Sequence, residues 1–208
     1  MRLAIGFLAL LALAGCATSS GEPAAAFVNP EVAHAYIALQ GRSYVLLESR
    51  GAAFLIAPGI AVTNAHNADF MGNIAIIGRS RDYDLLFFRA DRAAAPIYGR
   101  PSVGEPVIAY GQGAHGEVRE AKGVVRQLNA PVEARCATCS IQGAFIFEGD
   151  AGPGFSGGPV VDAANGQIVG VTFGYLDTGG HRMMYAYPMS RVRNELAAIE
   201  GKVPEAIE

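Results

Sequence analysis

Three residues of the chain have the types and sequence contexts that nucleophilic catalysis requires. Ser156 lies in the glycine-rich stretch GPGFSGGPVVD, His66 ends the sequence TNAH, and Asp84 opens the apolar run DLLFF. A serine hydroxyl attacks weakly until a base removes its proton, and histidine is the natural base at neutral pH. A carboxylate beside the imidazole fixes its tautomer and stabilises its cation. The three residues therefore predict acyl-transfer chemistry, with a plain glycine turn and a core histidine as the alternatives.

The segments around these residues are strand-like and are separated by short breaks at glycine and proline. Apolar stretches such as AAFLIAP, PVIAYGQ and QIVGVTFG alternate with turns from residue 33 onwards. This pattern is typical of an all-β barrel or sandwich. The looser stretch DRAAAPIYGRPSVGE divides the strands into two halves of about six strands each, over about residues 31–95 and 104–190. One clear amphipathic helix is predicted over 190–200, with Ser190 as its N-cap.

The bulk composition supports a buried core and excludes one class of partner. The chain has 208 residues, of which 51% are hydrophobic, and a formal net charge of −3. It contains no run of basic residues, so we expect no nucleic-acid partner. Nothing in the sequence indicates a metal or an organic cofactor.

The N-terminal stretch MRLAIGFLALLALAGCATSSGEPAAA has the layout of a secretory signal, with one basic residue, a short apolar run and then small residues. The sequence LAGC, which ends at Cys16, resembles the lipobox of bacterial lipoproteins. This resemblance implies a signal peptide over 1–15, cleavage before Cys16, lipidation of its thiol and a periplasm-facing lipoprotein of the cell envelope. Ala17 favours the outer membrane over the inner one. Residues 16–30 are expected to form a flexible tether. An ordinary signal peptide with an incidental cysteine is the alternative.

The other two cysteines, Cys136 and Cys139, lie in the sequence RCATCS. Two thiolates cannot complete a tetrahedral zinc site. A redox-active pair would be expected at the start of a helix, whereas these residues lie between strand-like segments. In an oxidising periplasm we expect a small local disulfide.

Together, the three motifs resemble those of the chymotrypsin/trypsin-like serine peptidases, especially the bacterial branch that includes the high-temperature-requirement (HtrA or Deg) proteases. Those families carry T-N-x-H, then D-x-A-x with aliphatic residues at x, then G-x-S-G-G-P, and the match covers about residues 35–200. The resemblance implies two six-stranded antiparallel β-barrels with a C-terminal α-helix, over residues 31–200. It also implies a serine endopeptidase that acts on proteins or peptides with His66, Asp84 and Ser156 as its triad.

The resemblance assigns further roles around the serine. The backbone N–H groups of Gly154 and Ser156 would form the oxyanion hole, and glycine at 154 lets its amide point inward. Asp84 is preferred to its rival Asp82 because the alignment puts Asp84 at the start of the apolar strand. Phe155 replaces the aspartate of trypsin-like zymogens, so we expect no activation by N-terminal cleavage. We also expect no PDZ domain after the protease.

Two predictions of substrate preference remain open. Asp150 has the spacing from Ser156 of the acid at the base of trypsin's primary pocket, which would favour cleavage after Lys or Arg. Met184, where trypsin keeps a pocket-wall glycine, favours instead a pocket for small or medium apolar side chains. The segment Thr172-Phe173-Gly174 resembles the family strand that pairs with extended substrate backbone.

Two other functions also remain open. A peptide-binding or chaperone module on the same fold would need none of the three catalytic groups. An esterase would use the same triad, although the α/β-hydrolase order of serine, acid and histidine does not occur here.

Overall fold

The computed structural model describes residues 20–44, 47–94, 96–130, 142–178 and 181–202. The described chain begins with a two-residue strand, β1 (Glu22–Pro23), and a short helix, α1 (Pro30–Ala35). Five strands follow: β2 (Tyr36–Tyr44), β3 (Leu47–Ala57), β4 (Ile60–Thr63), β5 (Ile76–Arg79) and β6 (Leu86–Arg89). They form an antiparallel sheet in the order β2-β3-β4-β6-β5. A 3₁₀ helix, Ala65–Phe70, connects β4 to the segment before β5.

Six further strands form a second sheet: β7 (Pro106–Gln112), β8 (Val118–Gln127), β9 (Phe145–Gly149), β10 (Pro159–Asp162), β11 (Ile168–Thr178) and β12 (His181–Pro188). They pair in the order β8-β7-β10-β11-β12-β9, and pairing between β8 and β9 closes the sheet into a barrel. The short strand β1 pairs with Arg119 and Glu120 of β8, on the edge of β8 that β9 pairs with further along. The chain then enters the helix α2 (Met189–Ile199).

The expected pair of six-stranded barrels is therefore confirmed in part. The fold is mostly β, and the C-terminal half is a closed six-stranded barrel. Within the described residues the N-terminal sheet has five strands, with β2 and β5 at its edges. Between β4 and β6 the chain contributes only β5 and the 3₁₀ helix, which leaves this sheet one strand short of the prediction.

The terminal helix lies where the amphipathic pattern predicts it, but its first turn differs. The helix begins at Met189, and Pro188 occupies the N-cap position without a side-chain capping bond, so the prediction of Ser190 as N-cap is wrong. Its apolar face packs against the core through Val192, Leu196 and Ile199, as the pattern predicts. No helix in the described part of the chain is long and apolar enough to cross a membrane.

Residues 20–30 do not form the expected flexible tether, because they pack against the two sheets. Phe27 lies between two tyrosine rings, with its ring centroid 5.4 Å from that of Tyr36 and 4.6 Å from that of Tyr110. The backbone N–H of Val28 donates to the Tyr110 hydroxyl at 2.8 Å. The small residues around Phe27 suggested a tether, but burying one aromatic ring is enough to hold the segment in place.

The closed barrel has a separate hydrophobic core that includes a neighbour of the candidate nucleophile. Phe145 and Phe147 of β9 pack there with Val160 of β10 and with Phe155, the residue before Ser156. Phe155 is fully buried. The turn that carries Ser156 is therefore anchored in the barrel core through its adjacent side chain.

A pair of carboxyl groups at one end of this barrel gives the fold a predictable pH dependence. Burial raises the pKa of Glu105, and the adjacent carboxylate of Asp162 raises this pKa further. The native state therefore binds a proton at Glu105 more tightly than the unfolded chain does, and the stability from that proton is lost as the pH rises through the raised pKa. We expect Glu105→Gln to be more stable than the wild type at pH 7, with the difference vanishing near pH 4. Urea unfolding at both pH values tests this, and a variant less stable at pH 7 would contradict it.

Candidate active site

Strand pairing in the first sheet brings His66 and Asp84 to the same place. Thr63, the last residue of β4, pairs with Leu86, the first residue of the antiparallel strand β6. The residues that follow β4 and those that precede β6 therefore emerge at the same end of the sheet. His66 lies in the first turn of the 3₁₀ helix after β4, and Asp84 lies two residues before β6.

The imidazole and the carboxylate form a close pair. His66 Nδ1 lies 2.5 Å from Asp84 Oδ2, and the His66 backbone N–H donates to Asp84 Oδ1 at 3.0 Å. The Asp84 side chain is 13% exposed, whereas that of His66 is 49% exposed. Because a carboxylate can only accept, it holds the proton on Nδ1 and leaves the lone pair of Nε2 available. An exposed ring with a free Nε2 can act as a general base.

Two further side chains hold Asp84 in position, and sequence reasoning did not identify either. Asn64 Nδ2 donates to the Asp84 carbonyl oxygen at 2.9 Å, and the Asp84 backbone N–H donates to the Tyr187 hydroxyl at 3.3 Å. Burial raises the pKa of Tyr187, which keeps its hydroxyl protonated. Asp82, the rival acid, is exposed, and its backbone N–H donates to Ser80 Oγ at 3.2 Å. The structure thus pairs His66 with Asp84, the residue that the alignment preferred.

The backbone of Ser156 is tied to the helix that carries His66. The Ser156 carbonyl oxygen accepts from the Ala52 N–H at 2.9 Å and from Asn67 Nδ2 at 3.0 Å. Asn67, which follows His66 directly, is almost fully buried, and its Nδ2 also donates to Thr63 Oγ1 at 2.9 Å. One buried amide therefore links the candidate nucleophile to the candidate base. The available sequence signal was the pair of asparagines that flanks His66 in TNAHN.

The turn around Ser156 presents two backbone amides. The Phe155 N–H donates to the Gly152 carbonyl at 3.1 Å, and the Gly154 carbonyl accepts from the Gln112 N–H at 2.9 Å. Among the hydrogen bonds of the described residues, the N–H groups of Gly154 and Ser156 have no backbone acceptor. Gly154 has φ +94°, a conformation that favours glycine. Both amides named by the resemblance are therefore in one fixed turn, as an oxyanion hole requires.

Gly157 fixes how closely this turn approaches the first sheet. It has φ +82°, and a Cβ there would collide with the Ala52 carbonyl oxygen and with Thr63 Oγ1. We expect Gly157→Ala to destabilise the protein by about 3 kcal/mol, of which about 1–2 comes from the left-handed backbone and the rest from overpacking. The control Gly72→Ala, with φ +53° and open space around it, keeps only the backbone penalty. Urea unfolding compares the two, and equal stability losses would contradict the close approach.

The segment Thr172-Phe173-Gly174 of β11 lies beside the Ser156 turn. The Gly157 N–H donates to the Thr172 carbonyl at 2.8 Å, and the Thr172 N–H donates to the Gly158 carbonyl at 3.0 Å. Phe173 stacks on Tyr187, with ring centroids 4.0 Å apart and planes 12° apart. The pairing of β11 with β12 is irregular between Thr172 and Gly174. After Thr172, β11 still pairs with β12 but no longer with β10, so Phe173 and Gly174 offer a suitable place for an extended peptide to pair.

The two residues considered for substrate preference lie elsewhere. The Asp150 side chain is 82% exposed and lies 3.6 Å from Arg182 Nη1. A carboxylate this exposed, already beside an arginine, is not the floor of a pocket, which argues against Asp150 as a selector of basic side chains. Met184 is 1% exposed and packs in the barrel core, so it does not form a pocket wall.

The three cysteines lie outside the described residues, so lipidation of Cys16 and a disulfide between Cys136 and Cys139 remain predictions. In the part of the chain that the structure describes, no group of three His, Cys, Asp or Glu side chains could hold a metal ion.

No protein-family model and no curated protein matches the chain, whereas solved structures share its fold. The HtrA-type protease AlgW, solved with a tripeptide, is 19% identical with a TM-score of 0.68, over 84% of this chain and 63% of that chain. The active form of the Rv3671c protease from M. tuberculosis is 20% identical with a TM-score of 0.65, over 89% and 91%. Deg5 is 22% identical with a TM-score of 0.56, over 76% and 83%.

These likenesses concern the fold, because all three identities are below a quarter. The chain has the chymotrypsin-like fold of HtrA-type protease domains, and it spans less than two thirds of the AlgW chain solved with the tripeptide.

Proposed function

We propose that this protein is a serine endopeptidase that hydrolyses peptide bonds of proteins through an acyl-enzyme. Ser156 is the nucleophile, His66 is the general base and then the general acid, and Asp84 orients the imidazole. The observation that carries the proposal is the 2.5 Å pair between His66 Nδ1 and Asp84 Oδ2, next to an Asn67 amide that holds the Ser156 backbone. The likeness in fold to HtrA-type proteases supports the same conclusion.

In the first half of the reaction, Ser156 Oγ attacks the carbonyl carbon of the scissile peptide bond, and its proton moves to His66 Nε2. The carbonyl oxygen becomes an oxyanion, which the N–H groups of Gly154 and Ser156 stabilise. When the tetrahedral intermediate collapses, the C–N bond breaks and His66 gives its proton to the leaving amine. The Asp84 carboxylate stabilises the imidazolium while it lasts.

In the second half, a water molecule attacks the ester of Ser156, and its proton moves to His66 Nε2. The second tetrahedral intermediate collapses, the C–O bond to Ser156 breaks, and His66 returns the proton to Oγ. The products are a free carboxylic acid and the regenerated hydroxyl. No redox step and no external co-reactant other than water is needed.

Substrate recognition in this proposal uses main-chain pairing next to the serine. In the segment Thr172-Phe173-Gly174, an extended peptide would pair with β11 after Thr172, where β11 no longer pairs with β10. Because Asp150 faces Arg182 at the surface, we infer that apolar rather than basic side chains are preferred before the cut. AlgW structures were solved with a tripeptide and with a decapeptide, which is consistent with peptide substrates for this fold.

The proposal includes anchoring in the bacterial cell envelope through a lipid on Cys16. Ser20 lies four residues after Cys16, and a link of that length spans at most about 14 Å, so the protease would lie close to the membrane surface. We expect Cys16→Ala to move the protein from the membrane fraction to the soluble fraction. Fractionation of cells that express either the wild type or the variant tests this. A variant that stays in the membrane fraction would contradict anchoring through Cys16.

Labelling by a fluorophosphonate tests the enzymatic function against a binding module on the same fold. This reagent forms a stable ester with an activated serine, so we expect one adduct per folded wild-type molecule, located on Ser156 by peptide mapping. His66→Ala is expected to slow the labelling strongly, because the hydroxyl then lacks its base. Peptide binding without any labelling in a folded sample would indicate the binding module instead.

A further inference from the structure

Residues 20–24, which we call the N-terminal strap, are attached to the closed barrel. Strand β1 lies within the strap and pairs with β8. The Arg119 side chain donates from Nε to the Ser20 carbonyl at 2.7 Å and from a second nitrogen to the Gly21 carbonyl. One arginine thus binds two consecutive carbonyl groups of the strap. The catalytic mechanism described above uses neither the strap nor Arg119.

The strap lies directly on the turn that carries Ser156. A Cβ at Gly21, where φ is +66°, would lie 2.9 Å from Cζ of the Phe155 ring and would also collide with the Glu120 carbonyl oxygen. Ser20 Oγ lies so close to Gly152 that a Cβ at that glycine would collide with it. The strap therefore contacts the turn both at Gly152 and at Phe155.

Phe155 is also held by β7. A Cβ at Gly111 would collide with the Phe155 ring and its Cα, and the next residue, Gln112, donates its N–H to the Gly154 carbonyl at 2.9 Å. The fully buried Phe155 ring is thus enclosed by β7 and the strap. Phe155 lies between Gly154 and Ser156, whose amides are the proposed oxyanion donors. Catalysis by such donors requires that they be held in place before the reaction begins.

We propose that the N-terminal strap is a positioning element of the active site: it holds Phe155, and through Phe155 it orients the amides of Gly154 and Ser156. The inference rests on the proposed function. The contact between the strap and the Phe155 ring is steric and apolar, so it does not depend on the charge of an N-terminal amine. Gly21 is the contact residue and Arg119 is the residue that keeps the strap in place.

The full-length variant Gly21→Ala tests the proposal against Gly201→Ala. Both glycines have nearly the same φ, +66° and +69°, but a Cβ at Gly201 meets nothing within 4 Å. We expect Gly21→Ala to lower kcat for a peptide substrate by about 10- to 100-fold with KM within about twofold, because a small displacement of catalytic groups has effects of this size. Gly201→Ala is expected to keep the wild-type kcat. Arg119→Met, which removes the bonds to both strap carbonyls, is expected to lower kcat in the same direction.

Two readouts separate positioning from a loss of folded protein. Titration of active sites gives kcat per competent molecule, and this value falls only if the site itself is altered. The affinity for a peptide aldehyde, whose adduct carries an oxyanion, is expected to fall with kcat/KM, whereas the affinity for a product peptide is unchanged. A wild-type kcat per active site in both Gly21→Ala and Arg119→Met would overturn the proposed role of the strap but not the proposed function. A wild-type protein with neither turnover nor fluorophosphonate labelling would overturn the proposed function, and the role of the strap with it.

Discussion

Replacement of Ser156 by alanine is expected to lower kcat for peptide hydrolysis by about 10⁵- to 10⁶-fold, because it removes the nucleophile on which both half-reactions depend. The residual rate would come from the oxyanion hole and from substrate binding, with water as the attacking group. The fold is expected to persist, since the bonds from Ala52 and Asn67 reach the backbone carbonyl of residue 156, which alanine retains.

Cleavage of an unfolded casein, followed by chromatography of the fragments, measures this effect. Ser102→Ala serves as the matched control, because Ser102 is exposed and lies outside the proposed site. We expect this control to keep wild-type activity. A Ser156→Ala protein that hydrolyses casein at the wild-type rate would show that the nucleophile is another group.

The second large effect concerns the acid. Asp84→Asn is expected to lower kcat by about 10⁴-fold at neutral pH. An amide N–H facing His66 Nδ1 donates to it, so the imidazole proton moves to Nε2, which can then no longer accept the serine proton. The Asn64 and Tyr187 contacts involve only the backbone of residue 84, so they remain in the variant.

Asp82→Asn is the matched control for this substitution. It makes the same chemical change two residues away, at an exposed position that does not pair with His66 in the described structure. We expect its kcat to stay within about twofold of the wild type. A larger loss of kcat in Asp82→Asn than in Asp84→Asn would show that Asp82, and not Asp84, is the acid.

The placement of His66 beside Asp84 agrees with the motifs that the sequence shares with serine peptidases, because it depends on one strand pairing. TNAH ends a strand, DLLFF begins another, and antiparallel pairing of Thr63 with Leu86 brings His66 and Asp84 to the same end of the sheet. The glycines around Ser156 likewise indicate a tight, closely packed turn before any coordinates are known. Most of the strands and the body of the terminal helix could be predicted from periodicity and turn residues, whereas the five-stranded first sheet and the helix N-cap could not.

Contacts between distant segments could not be predicted in this way. Asn67 binds the Ser156 carbonyl across 89 positions of sequence, and Arg119 binds Ser20 across 99. Neither asparagine nor arginine carries a local signal for such a partner. The composition of residues 16–30 predicts a tether. It carries no sign of the contacts with Arg119 and Phe155 that hold the strap in place.

The structure does not place Asp150 or Met184 in a substrate pocket, and the reason is geometric. Side chains alternate between the two faces of a strand, so an alignment that is off by one residue exchanges inside and outside. Met184 therefore packs in the barrel core, whereas Tyr185, its neighbour, lies 6.1 Å from Phe173 between ring centroids. For Asp150, the spacing to Ser156 fitted a pocket acid, but the direction of the loop and the position of Arg182 could not be read from spacing.

The central claim is that Ser156 becomes acylated during turnover, and acid quenching tests it most directly. The wild-type protein would be mixed with an activated peptide ester, quenched within milliseconds, digested and mapped by mass spectrometry. We predict a burst of leaving group that approaches one equivalent per active site, with the acyl group on Ser156, and no acyl group at residue 156 in Ser156→Ala. Turnover without acylation of Ser156, or with the acyl group on another residue, would contradict the account.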